Sequence, residues 1–164
     1  MHVTPEKRYL LIGYGNPGRG DDGLGPAVAA GIEALDLAGL TVEIDYQLTV
    51  DHAAMIAAHD VVVFVDAMEG LDQPYLFSAA GTDQPQALGS HTVTPEAALH
   101  LARILFGAAP EAWILAVAGY AFEEVREGLS PQAGTNMEAA TAFLAGWLTD
   151  ETTKRHTTAT RQYF

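Results

Sequence analysis

The spacing of apolar residues changes several times along this chain, and each change marks an element. Residues 9–13 (YLLIG) form a short continuous apolar run that leads into the glycine-rich GYGNPGRGDDGLG. From Leu24 the apolar positions Leu24, Val28, Ile32 and Leu35 keep helical spacing, and Pro26 suits a first turn. Residues 40–48 (LTVEIDYQL) alternate like a strand, with Val42, Ile44, Tyr46 and Leu48 on one face. A short helix is expected over about 51–58, opened by Asp51 as cap. DVVVFVDA at 60–67 is continuously apolar up to its last acid, the pattern of a strand buried on both faces.

After Asp66 the connections shorten. Residues 75–80 (YLFSAA) read as a strand, but only eight residues separate Asp66 from Tyr75. That is too short for a parallel crossover, so this strand should run antiparallel. A polar loop, GTDQPQALGSHTV, precedes a helix with Thr94 as cap, Pro95 at its first position, and Leu99, Leu101, Ile104 and Leu105 on its buried side. WILAVAG at 113–119 is a further buried strand, and EEVREGLSP is a loop. A last helix is expected from about Gly134 to Leu148, with Met137, Ala140, Phe143, Leu144 and Trp147 facing inward. The pattern predicts an α/β three-layer sandwich: a five-stranded sheet, mostly parallel with one antiparallel strand, and helices on both faces. One domain covers 1–150, and 151–164, which lacks periodicity, is expected to be a flexible tail.

Composition narrows the partners. At 164 residues and 49% hydrophobic, the chain can bury a core without staples. Its 21 acids against 8 bases give a net charge of -13. That excludes a nucleic-acid footprint and disfavours an anionic membrane surface. Three of the bases, Lys154, Arg155 and Arg161, lie past residue 149, so the domain itself is more acidic still. Cysteine is absent, which removes disulfides, thiolate nucleophiles and soft metal sites. MHVTPEKRY lacks a signal-peptide core and no apolar run approaches a membrane span, so a soluble cytoplasmic protein is expected.

Gly13-Tyr14-Gly15-Asn16-Pro17-Gly18 matches the dinucleotide fingerprint G-x-G-x-x-G after a strand. Against that reading, Pro17 removes one N–H from the would-be phosphate cradle, and Asp21 and Asp22 would repel a pyrophosphate. Asp45, the nearest acid for a ribose, lies 27 residues past Gly18 rather than about 20. Asp21-Asp22 reads either as helix capping or, since one acid suffices for that, as a pair awaiting a cation. Asp66 closes the most apolar strand at the carboxyl end of a parallel sheet, where ligands of open α/β folds gather. If the strands before Asp22 and Asp66 are neighbours, about 4.8 Å apart, both carboxylates can face one crevice. His91 precedes a helix that must descend from that same edge, and a helix N-terminus favours the neutral imidazole that binds metal. Asp22, Asp66 and His91 together make an N/O donor set suited to nickel, zinc, manganese or iron. His52, His59, His100, His2 and His156 read as surface histidines.

LLIGYGNPGRGDDGLGPAV, then VVVFVDA, then SHTVTPEAALHLARIL, then a strand followed by EEVREGLSP, resemble the hydrogenase maturation proteases over residues 8–148. The resemblance implies a mixed five-stranded sheet between helices. It also implies an endopeptidase that removes a C-terminal peptide from the nickel-loaded large-subunit precursor of a nickel–iron hydrogenase. The family's acid of the D-[DE]-G step, its Asp at the third strand and its His before the next long helix bind a divalent metal. They fall here on Asp22, Asp66 and His91 as metal-binding and catalytic residues, with the precursor's nickel as recognition mark. Asp22 stands where the family often has Glu, one methylene longer. Asp45 matches an acid after the second strand, but YQLTVDH replaces the glycine-rich turn that follows it in the family. The implied partner is the precursor, and the chain is expected to be a monomer with no organic cofactor. Two other classes stay open: a non-cleaving nickel-dependent chaperone or checkpoint protein, and a nucleotide-dependent enzyme.

Overall fold

The computed structural model describes residues 6–81, 93–122 and 125–161, with backbone alone beyond 150. Its strands are β1 (Tyr9–Tyr14), β2 (Leu40–Asp45), β3 (Val61–Glu69), β4 (Tyr75–Ala79) and β5 (Glu111–Gly119). They lie in the order β2-β1-β3-β5-β4, parallel except for β4, which pairs antiparallel with β5. The helices are α1 (Leu24–Glu33), α2 (His52–Ala57), α3 (Pro95–Phe106) and α4 (Pro131–Arg161). The expected architecture is therefore present, including the antiparallel strand after the short 67–74 connection.

Successive residues of a strand point to opposite faces, and the two central strands are apolar on both. Leu11, Val61, Val63 and Val65 join Leu24, Val28 and Ile32 of α1 and Ala140 and Leu144 of α4 in one core. Leu10, Ile12, Tyr14, Val62 and Phe64 join Ala53 and Ile56 of α2 and Ala98, Leu99 and Ala102 of α3 in the other. Five aromatic rings, Tyr75, Phe77, Trp113, Phe143 and Trp147, pack together where α4 covers the β4 edge, Phe77 stacked on Trp113 and the others tilted or edge-on.

Several boundaries differ from the sequence pattern for physical reasons. β3 runs three residues past Asp66 because β5 accompanies it as far as Glu69↔Gly119, while β1 pairs with it only to Gly13↔Val65. Asp66 thus sits at the first position that β1 no longer flanks, rather than at the strand's end. β2 stops at Asp45, and Leu48 turns into the α2–α3 core, opposite to Val42. Asp51 makes no capping hydrogen bond; the entry to α2 is a turn in which the His52 N–H donates to the Thr49 carbonyl. α3 buries small residues, Ala98 and Ala102, around Leu99, while Ile104 and Leu105 are exposed. Its Thr94 cap, accepting from the Ala97 N–H at 3.2 Å, and Pro95 stand where the sequence puts them. α4 begins at Pro131, with Ser130 Oγ accepting from the Ala133 N–H, and its helical backbone continues past Leu148 to Arg161.

One contact decides where the site lies. Gly25 opens α1 flush on the ends of β1 and β3: a Cβ there would stand 2.6 Å from the Val65 carbonyl oxygen and 2.9 Å from the Tyr14 nitrogen. Such an approach is open only to glycine. It seats the start of α1, and the turn before it that carries Asp22, against the ends of β1 and β3.

Candidate functional site

The glycine-rich turn after β1 is wound on itself. The Gly15 N–H donates to the Asp45 carbonyl, the Asn16 N–H to Asp22 Oδ2 at 2.8 Å, and the Gly18 N–H to Asn16 Oδ1 at 2.9 Å. The N–H groups of Arg19, Gly20, Asp21 and Asp22 donate to the carbonyls of Asn16, Arg126, Ala121 and Arg19. With Pro17 lacking one, every backbone N–H from Gly15 to Asp22 already has a partner within the fold. A phosphate cradle needs those groups free and aimed at the anion. The G-x-G-x-x-G spacing is therefore a coincidence of a different turn. Gly15, at φ 145°, lets the chain pass against the Asp22 backbone where a side chain has no room.

The two adjacent acids have opposite fates. Asp21 is fully buried, and its carboxylate accepts from the N–H groups of Tyr120 (2.8 Å), Ala121 (2.9 Å) and Ser130 (2.7 Å) and from Ser130 Oγ (2.8 Å). Burial alone would raise its carboxyl, but these donors outweigh it and hold the group below the usual carboxylate range. Asp21 is thus a structural clamp between the first turn and the loop after β5, not a helix cap. The Asp22 carboxylate accepts one hydrogen bond among the described residues, from the Asn16 N–H, and its charge acts on Asp66.

Asp66 is the perturbed acid of the pair. Burial pushes its carboxyl up to about 6; the Ala67 N–H, donating to Oδ1 at 2.8 Å, and the Tyr14 hydroxyl pull it down, and the Asp22 charge pushes it up again. Burial likewise drives the Tyr14 phenol above its ordinary range, with the carboxylates of Asp66 and Glu96 adding to the shift. Across the strand ends, Asp45, Tyr14 and Asp66 form one row on the α2–α3 face: Tyr14 is in register with Asp45, and Asp66 follows Val65, the partner of Gly13. β1 and β3 are neighbours, and the Asp22 charge acts on the Asp66 carboxyl. His91 lies outside the described residues.

A second group gathers beside this row. Glu43, Asp45 and His52 place one ligand atom each within 4.8 Å of one another. His52 is buried, contrary to its reading as a surface histidine, because the turn after β2 folds it under the sheet end. Its Nδ1 accepts from the Thr49 N–H at 2.9 Å, so in the neutral ring Nε2 carries the proton and presents N–H to Asp45 Oδ2, 3.6 Å away. As folded, the imidazole therefore has no lone pair to give a cation there. The group ties the β2–α2 turn. His59 is half-buried and bonds the Met55 carbonyl through Nδ1, and His100 is exposed on α3. Sequence reasoning missed Tyr14, whose hydroxyl is indistinguishable from core aromaticity in a strand pattern, and Asn16, whose place before Pro-Gly marks a side-chain-closed turn.

No helix among the described residues is long and apolar enough to cross a membrane. No protein-family model matches the sequence, and no curated protein does. Solved structures match throughout the domain. HybD, a hydrogenase maturating endopeptidase from E. coli, superposes with TM-score 0.68 at 18% identity, covering 88% of this chain and 93% of its own. The [NiFe] hydrogenase maturation protease HycI from Thermococcus kodakarensis gives TM-score 0.68 at 21% identity, covering 87% and 93%. A hydrogenase 2 maturation peptidase from a Thaumarchaeota archaeon gives TM-score 0.64 at 21% identity, covering 87% and 98%. The chain thus has the fold of the hydrogenase maturation endopeptidases, with Asp22 in the turn after β1 and Asp66 where β3 outruns β1.

Proposed function

We propose that this chain is a cytoplasmic endopeptidase that removes a C-terminal peptide from the large-subunit precursor of a nickel–iron hydrogenase once nickel is in place. The observation that supports this reading is the effect of the Asp22 charge on Asp66, the two following adjacent parallel strands, in a fold shared with endopeptidases named for hydrogenase maturation. Two carboxylates side by side repel, and a cation presented by the substrate offsets that repulsion. Carboxylate oxygens, joined by the His91 imidazole on the family resemblance, are donors that suit nickel. Nickel is here part of the substrate, which fixes the scissile bond relative to the pair.

In the cation-free chain burial raises this carboxyl to about 6, and a carboxylate placed beside the scissile bond suits proton transfer. Its ionised form takes a proton from water as the water oxygen adds to the scissile carbonyl. The proton returns to the departing amine as the C–N bond breaks. Exposed Tyr46, Met68, Tyr120 and Val125 near this edge offer apolar surface to a protein substrate.

The test is intact mass of a C-terminally extended large subunit after incubation with this protein, nickel-loaded and metal-free in parallel. One defined peptide should leave the nickel-loaded sample alone. Cleavage of both samples removes nickel as the gate. Binding without cleavage of either favours the chaperone reading. His91→Ala should abolish processing in a folded chain, and undiminished cleavage removes His91 from the mechanism.

A further inference from the structure

In so acidic a chain, where the few bases stand is informative. Residues 1–149 carry 19 acids and only five bases. Lys7 pairs with Glu111 at 3.8 Å and Arg8 with Asp60 at 3.5 Å. Arg103 lies in the last turn of α3, where a positive charge suits the helix dipole. Arg19 and Arg126 have neither kind of compensation. Both are exposed, and neither forms an ion pair among the described residues. The backbone nevertheless joins them. The Arg126 N–H donates to the Gly18 carbonyl at 2.9 Å and the Gly20 N–H to the Arg126 carbonyl at 2.8 Å, a parallel bridge with Arg19 and Arg126 as its facing pair. Facing residues of a bridge stand about 4.8 Å apart and send their side chains to the same side. Two cations so placed repel unless an anion comes between them. The bridge adjoins the acidic turn, since the Asp22 N–H donates to the Arg19 carbonyl at 3.3 Å. Val125, 98% exposed, precedes Arg126, an apolar side chain in water beside an unpaired arginine. That pairing of an apolar residue with arginine suits a protein partner.

We propose that Arg19 and Arg126 form a clamp for a carboxylate of the hydrogenase precursor, setting the segment to be cut against the turn that carries Asp22. This rests on the reading of the chain as a maturation endopeptidase. Arginine forks match the planar, two-oxygen face of a carboxylate better than a lysine point charge does. Elsewhere the acidic surface repels such a group, so the clamp also fixes where it docks. Two sources share this chemistry: the α-carboxylate at the precursor's C-terminus, and an Asp or Glu side chain within the peptide to be removed.

The experiment is steady-state processing of the nickel-loaded, C-terminally extended large subunit by wild type, Arg19→Gln, Arg126→Gln and the double variant, with urea unfolding of each. The double variant should raise KM about 5- to 10-fold with kcat and the unfolding midpoint close to wild type. Lysine at both positions should recover part of the loss; either single variant serves if the double folds poorly. Two altered precursors separate the sources. One carries a Gly-Ser extension that displaces the terminal carboxylate, and the other has the acids of the removed peptide as amides. One of them should raise KM for wild type and change nothing further for the double variant. Wild-type KM in the folded double variant, or a raised KM that neither altered precursor reproduces, overturns the clamp while leaving the endopeptidase standing. No cleavage by wild type overturns both.

Discussion

Replacing Asp66 by asparagine should stabilise the cation-free chain at neutral pH. The folded carboxyl is pushed up to about 6, chiefly by burial, from its ordinary value of 3.8. Folding therefore raises its affinity for a proton. Between those two values the folded chain keeps a proton that the unfolded chain releases. Stability consequently falls as pH rises from about 4 to about 6, then stays level above. Two units correspond to about 3 kcal/mol. Asp66 is only partly buried, so solvent screening reduces the expected penalty to about 1–2 kcal/mol. Asparagine is the uncharged isostere and can still accept from the Ala67 N–H and the Tyr14 hydroxyl. The assay is urea unfolding of both proteins with chelator present at pH 4, 5, 6 and 7. The two curves should nearly coincide at pH 4, and the variant should lead by about 1–2 kcal/mol at pH 7. A variant less stable than wild type at pH 7, or a difference that does not grow between pH 4 and 6, refutes the reasoning. Added Ni²⁺ should reverse the order by stabilising only the wild type.

The neighbouring acids and glycine give sharper contrasts. Asp21→Ala should cost about 3–5 kcal/mol, because four donors lose their buried acceptor, whereas Asp22→Asn should change stability little; thermal unfolding separates them. Since the Asp21 carboxyl is held low in the folded state, its contribution is present above about pH 4 and lost as pH falls through the lowered value. Asp21→Asn should therefore flatten the acid limb of the stability profile. Gly25→Ala should lower stability by about 3 kcal/mol, read as a Tm fall of about 10 °C, since a Cβ meets the Val65 and Tyr14 backbones. His52→Ala should destabilise by about 2–3 kcal/mol by stripping the Thr49 N–H of its acceptor, yet leave the Asp66-dependent Ni²⁺ affinity unchanged; a fall in that affinity would make His52 a ligand after all.

How much of this was legible follows from what a period can encode. Alternation and apolar runs place β1, β3 and β5 at the sheet centre. The eight residues between Asp66 and Tyr75 exclude a parallel crossover, and Thr94-Pro95 carries its own capping chemistry. The adjacency of β1 and β3, on which the expected Asp22–Asp66 pair depends, could thus be reached before any coordinates. A period says which positions share a face, but not where the neighbour stops. Ile104 and Leu105 continue the apolar stripe of α3 beyond Ala102, the last residue it buries, and they stand in solvent. The burial of His52 likewise depends on a turn that only the Thr49 contacts define.

The division of labour between Asp21 and Asp22 lay further out of reach, because it is written in a different part of the chain. Tyr120, Ala121 and Ser130 are about a hundred residues away, and they turn an ordinary acid into a clamp. Once Asp21 is accounted for, stability no longer explains an acid at 22, still less at 66. A carboxylate closing the run VVVFV is the residue a stable sheet would replace first, and its raised titration measures that conflict. Local rules are broken in this way mainly at functional sites. The acid whose surroundings suit it builds the fold, and the acid whose surroundings oppose it is the one we propose for the site.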